Sequence, residues 1–258
     1  MPRFSANIST LFREYPILDR FRAARRAGFS AVEIQFPYAI PVDDLVRAKE
    51  AAGVTVALIN LPAGDVAAGE LGLAGLPGRQ SAFAEAIARG RRYAEALGCP
   101  IVNALAGVPG PEAAVEDCLD VLAENLHVAA ATFAEAGIRV VTEAINDRDV
   151  PGFLLTTSTG ALAAIGRADH PNLALQYDVY HMHAMAGALI PTLTRLGPRI
   201  GHVQFADAPG RHEPGSGEID FAALFAALDA IGYDGWTGAE YAPSTTTEES
   251  LEWFARFR

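Results

Sequence analysis

The feature that most constrains this chain is a strict alternation of strand-like and helix-like segments from one end to the other. Apolar, β-branched runs predict eight strands, at Arg3–Ile8, Ala31–Phe36, Thr55–Leu61, Ile101–Ala106, Arg139–Ile145, Leu173–Asp178, Ile200–Ala206 and Trp236–Tyr241. Helical periodicity predicts eight helices, at Leu18–Ala27, Val42–Ala52, Gln80–Leu97, Glu112–Ala136, Ser158–Ala168, Ala184–Leu196, Phe221–Ile231 and Thr247–Phe257. Alternating β and α segments build a parallel sheet, and eight such units predict a closed (β/α)8 TIM barrel.

An open, doubly wound α/β sheet is the alternative fold for such a pattern. That fold usually binds phosphates through a glycine-rich loop, and neither G-x-G-x-x-G nor a Walker loop occurs in this sequence. Barrels of roughly 200–250 residues commonly form one domain. No linker or low-complexity segment divides the chain, so we expect residues 1–258 to form a single α/β barrel domain.

Charge and cysteine content exclude several classes of function. The chain has 20 basic and 31 acidic residues, a net charge of −11, which repels phosphate backbones and argues against a nucleic-acid partner. Its single lysine, Lys49, lies in a helix-like run and does not suit Schiff-base chemistry. Cys99 and Cys118 form no C-x-x-C pair, which fits a reducing compartment. Without a signal-peptide pattern or a membrane-length apolar run, we expect a soluble, cytoplasmic protein with no membrane partner.

Oxygen-bearing side chains lie at the carboxyl ends of the last four predicted strands, where the active site of a TIM barrel forms. They are Glu143, Asp178, Gln204 and Glu240. Because side chains alternate along a strand, we expect all four in one inward layer. Beneath it we expect a layer of Val141, Gln176, His202 and Gly238.

Three carboxylates converging in one barrel mouth need either raised pKa values or a cation between them. A set of oxygen donors suits Mg²⁺ or Mn²⁺ better than zinc. Separate polar caps at each strand end are the alternative interpretation. Asn7 and Asn60, at the ends of the first and third strands, are further candidates for substrate binding. Glu33 in strand two predicts a buried structural hydrogen bond.

Longer segments of the chain match a known family. They are RFSANIS (3–9), NLPAGDVAAGE (60–70), GLPGR (75–79), PGFLLT (151–156), QYDVYHM (176–182), HVQFAD (202–207), RHEPGSGEID (211–220), GAEY (238–241) and TTTEESLEW (245–253). With these segments the chain resembles the hydroxypyruvate isomerase family, within the xylose isomerase-like TIM barrel superfamily. The resemblance spans nearly the whole chain. It implies an aldose–ketose isomerase that interconverts hydroxypyruvate and tartronate semialdehyde through an enediol.

The resemblance also implies roles for individual residues. The metal positions of the superfamily correspond to Glu143, Asp178, Gln204 and Glu240. Glu143 and Glu240 match the paired acid and base, His181 matches a substrate-contacting histidine, and Arg211 lies near a basic substrate contact. Related ketose epimerases carry histidine where this chain has Gln204. The endonuclease IV branch needs a histidine-rich zinc site, and six histidines in the whole chain fit it poorly.

Several functional questions stay open at this stage. A 2-oxo-tetronate isomerase, a C3 epimerase of ketoses and a non-catalytic barrel that binds a sugar acid are the alternatives. We expect Arg211 to bind the carboxylate of a small hydroxy-oxo acid. The long, glycine-rich segment Pro62–Arg79 is expected to close over the mouth as a lid. A homo-oligomer is compatible with the sequence.

Overall fold

Eight parallel strands close into a barrel in the order β1 to β8 in a computed structural model that describes residues 2–257. The strands are β1 (Arg3–Asn7), β2 (Ala31–Ile34), β3 (Thr55–Asn60), β4 (Ile101–Asn103), β5 (Arg139–Glu143), β6 (Leu173–Asp178), β7 (Ile200–Phe205) and β8 (Trp236–Ala239). The prediction of a closed parallel barrel is confirmed.

Helices surround the strands. They are α1 (Ile17–Arg26), α2 (Val42–Ala52), α3 (Gln80–Leu97), α4 (Val115–Ala134), α5 (Ser158–Ala168), α6 (Val179–Ala186), α7 (Leu189–Leu196), α8 (Phe221–Ala230) and α9 (Glu252–Phe257). Short 3₁₀ turns lie at Pro37–Ala39, Val66–Ala68, Gly197–Arg199 and Glu249–Leu251. None of the helices within residues 2–257 combines the length and the apolar character needed to cross a bilayer.

Several predicted segments are wrong in extent. The helix expected over Ala184–Leu196 is two helices, because Gly187 adopts φ +67° and ends α6. The helix expected over Thr247–Phe257 begins as a 3₁₀ turn at Glu249. The fourth strand stops at Asn103, three residues before its predicted end.

The start of α6 matters for the site, because this helix follows β6 directly. The carboxylate of Asp178 caps this helix, and its Oδ1 accepts hydrogen bonds from the backbone N–H groups of Tyr180 (2.8 Å) and His181 (3.3 Å). Such a cap satisfies donors that have no partner within the helix. It also places His181 one turn above Asp178, on the same side of the barrel mouth.

The expected single layer of four oxygen donors is also wrong. In the strand register Asp178 pairs with Gln204, but Glu143 pairs with Gln176 and Gln204 pairs with Gly238. Strands of a closed barrel tilt against its axis and are staggered. The side chains therefore reach the mouth from different levels, and Glu240 lies one residue beyond the end of β8.

Two apolar regions hold the barrel together. Leu58, Val141 and Ala174 form a small buried cluster of strand residues. The larger core includes an aromatic group in which Phe4 contacts Phe205 and Trp253 edge-on. Edge-to-face pairs of this kind add about 0.5–1.5 kcal/mol beyond the burial of their area.

Candidate active site

The carboxyl ends of β5 to β8 bring the four predicted donors into one buried cluster. Glu143, Asp178, Gln204 and Glu240 are each at most 6% exposed. Gln204 Nε2 lies 2.8 Å from Glu240 Oε2. Suitable ligand atoms of Glu143, Asp178 and His181 lie within 4.8 Å of one another. The cluster therefore holds three carboxylates that water hardly reaches.

The Glu240 carboxylate is the most heavily hydrogen-bonded group of the cluster. Its Oε2 accepts from Asn7 Nδ2 (2.7 Å) and from Gln204 Nε2 (2.8 Å). Its Oε1 accepts from Arg211 Nη2 (2.6 Å) and from Gln35 Nε2 (3.1 Å). Burial raises the pKa of Glu240 to about 7, and the Arg211 guanidinium opposes that rise. Each oxygen already accepts two hydrogen bonds, so one of these hydrogen bonds must break before Glu240 can ligate a cation.

Glu143 has far fewer partners. Its Oε1 accepts one hydrogen bond, from Asn103 Nδ2 at 2.6 Å. Burial raises its pKa to about 8, with further contributions from the negative charges of Glu240 and Asp178. A buried carboxylate with one donor gains little from ionising. Glu143 is therefore suited to exchange a proton with a bound molecule.

The donors facing one another fit a hard divalent cation. Glu143 and Asp178 supply carboxylate oxygens without water around them, and the cost of keeping both ionised falls sharply when a cation lies between them. Asp178 Oδ2 also has Arg211 Nη2 and His181 Nε2 as neighbours, each at 3.6 Å. The guanidinium thus supplies positive charge at the place where a metal ion would supply it.

Arg211 is held by an organised loop after β7. The buried carboxylate of Asp207 accepts backbone hydrogen bonds from four residues of this loop: Ala208, Gly215, Gly217 and Ile219. Arg211 itself adopts φ +58°, which is uncommon for a residue with a side chain. Its guanidinium carbon lies 5.1 Å from the centre of the Tyr180 ring. Within residues 2–257, Arg211 is the one arginine that reaches the carboxylates of the site, and this loop fixes it.

A second buried network lies beneath Gln204. Glu33 accepts from Gln204 Nε2 (2.7 Å) and Ser5 Oγ (2.6 Å), and it contacts His202 Nε2 at 2.9 Å. A Cβ on Gly238 would lie 2.1 Å from Glu33 Oε1, so the glycine makes room for this carboxylate. The Gln204 oxygen accepts from Gln176 and faces away from Glu240. Ligation through that oxygen requires the amide to turn over.

Asn60 and the following loop lie on the opposite side of the mouth. Asn60 Oδ1 accepts from Asn103 Nδ2 at 3.1 Å, so the amide that holds Glu143 also orients Asn60. In the 62–79 loop, Gly72 forms an isolated bridge with Ala106. A pair between Glu70 and Arg79, with Oε1 and Nη1 2.5 Å apart, links the tip of the loop to its end.

Three residues that support the cluster were not predicted from the sequence: Gln35, Asn103 and Asn146. Gln35 and Asn103 lie at or just past the ends of β2 and β4, so strand-end position was the signal for both. The fourth strand was predicted to extend to Ala106, so Asn103 was not recognised as a strand end. Asn146 contacts His181 from the loop after β5, and no pattern in the sequence marks that contact.

Known proteins that are similar to this chain share its barrel fold. Residues 21–257 match a family model described as xylose isomerase-like TIM barrel. The chain is 44% identical to the hydroxypyruvate isomerase of Escherichia coli K12, over the full length of both. It is 42% identical to a 2-oxo-tetronate isomerase of Cupriavidus necator, over 98% of this chain and 97% of the relative. A crystal structure from Brucella melitensis, described as an AP endonuclease of family 2, is 40% identical and matches with a TM-score of 0.97 over all of both chains.

Proposed function

Because the chain belongs to the xylose isomerase-like TIM barrel family, we propose that it interconverts hydroxypyruvate and 2-hydroxy-3-oxopropanoate (tartronate semialdehyde). The observation that carries this proposal is the pair of buried glutamates, Glu143 and Glu240, whose pKa values are both raised toward neutrality. Carboxyl groups of this kind can accept and donate protons near neutral pH, as an aldose–ketose isomerisation requires. Its full-length relatives include isomerases of hydroxy-oxo acids.

The reaction moves one proton between adjacent carbons. One glutamate removes a proton from C3 of hydroxypyruvate while the C2 carbonyl oxygen takes up a proton, and a C2–C3 enediol forms. The 3-hydroxyl then loses its proton as the C3 carbonyl forms, and the other glutamate delivers a proton to C2. Atoms and charge balance without an external oxidant or reductant. Glu143 and Glu240 are our candidates for the two glutamates.

A divalent cation, Mg²⁺ or Mn²⁺, would be held by Glu143, Asp178, Gln204 and Glu240. When bound, it would act as a Lewis acid that stabilises negative charge on the substrate oxygens. Glu240 and Gln204 can join this set only after exchanging hydrogen bonds that they make now. Asn7 and Gln35 would still orient Glu240, and Asn103 would still orient Glu143.

Arg211 and Asn60 are the candidates for binding the ends of the substrate, together with His181. The side chain of Arg211 is 30% exposed, and its Nη2 lies 2.6 Å from Glu240 Oε1. It can donate to a substrate carboxylate instead of Glu240, which would free one lone pair of Glu240. Substrate binding and preparation of the glutamate are thereby linked.

A 2-oxo-tetronate, one carbon longer, is the second candidate substrate. A relative with that name is 42% identical to the chain. In addition, a cavity of about 340 Å³ lies beside the site, lined by residues that include Asn146, Asp149, Tyr180 and His183. Two of its lining residues contact the site, since Asn146 contacts His181 and the Tyr180 ring lies beside Arg211.

Nuclease activity has weaker support, despite the name of the Brucella melitensis structure. The net charge of −11 opposes binding of a polyanion. Gln204 stands where the ketose epimerases carry histidine, which disfavours a C3 epimerase. A barrel that only binds a sugar acid would not need two glutamates with raised pKa values.

The test is turnover of hydroxypyruvate and of 2-oxo-tetronate by the purified protein, after chelation and after addition of Mg²⁺ or Mn²⁺. We expect isomerisation of at least one acid, with the preferred chain length given by the ratio of kcat/KM values. Activity that is unchanged by exhaustive chelation would contradict the cation. Absence of turnover with both acids would contradict the proposed reaction.

A further inference from the structure

His181 lies among the potential metal ligands. Its ring is oriented by Asn146, a residue to which the proposed reaction assigns no role. Asn146 Nδ2 lies 2.7 Å from His181 Nδ1, and the backbone N–H of Asn146 points to the same ring nitrogen at 3.4 Å. The other ring nitrogen, Nε2, faces Asp178 Oδ2 at 3.6 Å, beyond hydrogen-bond distance. Which nitrogen carries the proton decides what the ring can do.

The orientation of the Asn146 amide is determined by backbone groups, whose polarity is unambiguous. Its Oδ1 accepts from the backbone N–H groups of Arg148 (3.1 Å) and Asp149 (2.8 Å). Its Nδ2 therefore points the other way and donates to Asp149 Oδ2 at 3.1 Å as well as to His181. An inverted amide would set a carbonyl oxygen against the Asp149 carboxylate and an NH₂ group against two N–H donors.

Since both Asn146 groups facing Nδ1 are donors, Nδ1 must accept, and a neutral ring then carries its proton on Nε2. From these contacts we infer that Asn146 is a positioning residue that fixes His181 as an Nε2–H donor facing the reacting oxygens, and that His181 is not a metal ligand.

This inference deepens the proposed isomerase function and rests on it for the identity of the substrate. A nitrogen that carries a proton has no lone pair for a cation, so the cation-binding groups are the carboxylates and Gln204. Among residues 2–257, Nε2 has no hydrogen-bond partner, so its N–H is available to the oxygen of a bound carbonyl or enediol. A neutral donor of this kind stabilises developing negative charge without having to release a proton.

Two substitutions of His181 separate the donor from the ligand. His181→Asn keeps an acceptor near the position of Nδ1 but loses the group that faces the site, and we expect kcat to fall by about 10²–10³, the usual effect of one oxyanion donor. His181→Gln can place an amide N–H near the position of Nε2 and should recover part of that loss. Mn²⁺ affinity, measured by titration calorimetry, should change less than about threefold in both, whereas Asp178→Asn should weaken it at least tenfold.

The tautomer itself is tested on the whole protein by ¹⁵N NMR of labelled histidine. We expect Nε2 of His181 to be protonated and Nδ1 to be unprotonated, with and without the diamagnetic ion Mg²⁺. Asn146→Asp replaces a donor with a carboxylate of the same shape, so we expect protonation of Nδ1 and a kcat at least about tenfold lower. The matched control is Asn172→Asp, an asparagine amide remote from the site that donates to Ala130 and Ile138; it tests the folding cost of such an exchange.

Protonated Nδ1 in the wild-type protein would overturn the inference, as would loss of Mn²⁺ affinity in His181→Asn equal to that in Asp178→Asn. Wild-type kcat in Asn146→Asp would overturn the role of Asn146. The NMR measurement does not depend on the substrate. Lack of turnover of either acid would therefore contradict the proposed function and leave the tautomer to be decided by the spectrum.

Discussion

Substitution of each of the two glutamates at the centre of the site is expected to affect kcat and thermal stability differently. Glu143→Gln keeps the acceptor for Asn103 and removes only the base, so we expect kcat to fall by about 10²–10⁴ with little change in thermal stability. Glu240→Gln points an NH₂ group at two of four donors, so it should lower both kcat and Tm.

Kinetics and thermal unfolding of the two single variants and the double variant check this asymmetry. The double variant should be little slower than the slower single one, because residues that act as a unit are not additive. Near wild-type kcat in either single variant, with the cation still bound, would contradict the paired mechanism. Equal Tm losses in both would contradict the difference in hydrogen bonding.

Arg211 is expected to act on the carboxylate of the substrate. Arg211→Met keeps the length of the side chain and removes the charge, so KM for hydroxypyruvate should rise about 10- to 100-fold, as expected for a charged hydrogen bond of about 1.5–3 kcal/mol. Glyceraldehyde, which has the same carbon skeleton without a carboxylate, is the control substrate. A rise in KM that is as large for glyceraldehyde would show that Arg211 acts on the site as a whole.

At this scale the sequence predicted which side chains converge but not how they contact one another. Strand-end position identified Glu143, Asp178, Gln204 and Glu240, because the ends of parallel strands meet at one face. The direction of the Gln204 amide depends on Glu33 and Gln176, which come from two other strands. Such a network arises only when the barrel closes, and no local pattern encodes it.

Among the connecting elements, the loop over residues 62–79 makes a close backbone contact at Gly72 that can be tested with matched glycines. Gly72 and Gly69 both have positive φ, +115° and +87°. A Cβ on Gly72 would lie 2.5 Å from the Leu105 carbonyl oxygen, whereas one on Gly69 meets nothing within 4 Å. Gly72→Ala should therefore lower Tm and speed amide hydrogen exchange in the loop more than Gly69→Ala, which bears only the backbone strain.

The tip of the same loop should respond to acid through its ion pair. Contacts with Arg79 and the backbone N–H of Asp65 lower the pKa of Glu70 to about 2, so the pair is fully formed above the ordinary glutamate pKa. It weakens as the pH falls from there toward 2. Hydrogen exchange over residues 64–71 should rise in that range, and Arg79→Met should show the faster exchange already at pH 7. Equal hydrogen exchange in the wild type and in Arg79→Met at pH 7 would contradict a role of the Glu70–Arg79 pair in holding the loop.

Element boundaries were predicted where a local signal marks them. Gly53 and Gly98 end α2 and α3 in the left-handed conformation, as glycine commonly does after a helix. Gly187 carries the same signal, but the predicted helix began only at Ala184, inside the true α6, so the glycine fell within it. The start of α6 depends on Asp178 serving both as its cap and as the end of β6. A residue that belongs to two elements gives no separate signal for either.

For the whole barrel, the buried carboxylates are expected to control stability in the absence of a cation. The pKa of Glu143 is raised to about 8, far above its value in an unfolded chain. A raised pKa stabilises the fold below the unfolded value and loses that contribution as the pH rises through the folded value. The chelated protein should therefore unfold at a lower temperature at pH 8 than at pH 6, by on the order of 5 °C for a chain of this size.

Addition of Mn²⁺ should reverse that loss, because a cation favours the ionised carboxylates that high pH produces. At about 100 times its dissociation constant, a ligand bound only by the folded state contributes about 2.7 kcal/mol, which corresponds to a rise in Tm of roughly 5–10 °C for a chain of this size. The rise should be larger at pH 8 than at pH 6. Thermal scans of the wild type and of Glu143→Gln at both values, with chelator or Mn²⁺, measure it. The variant lacks the carboxyl group whose pKa is raised, so its chelated form should lose less stability between pH 6 and pH 8. A wild-type Tm that does not respond to Mn²⁺ at either pH would remove the cation from the site and leave Arg211 as the positive charge that holds the carboxylates together.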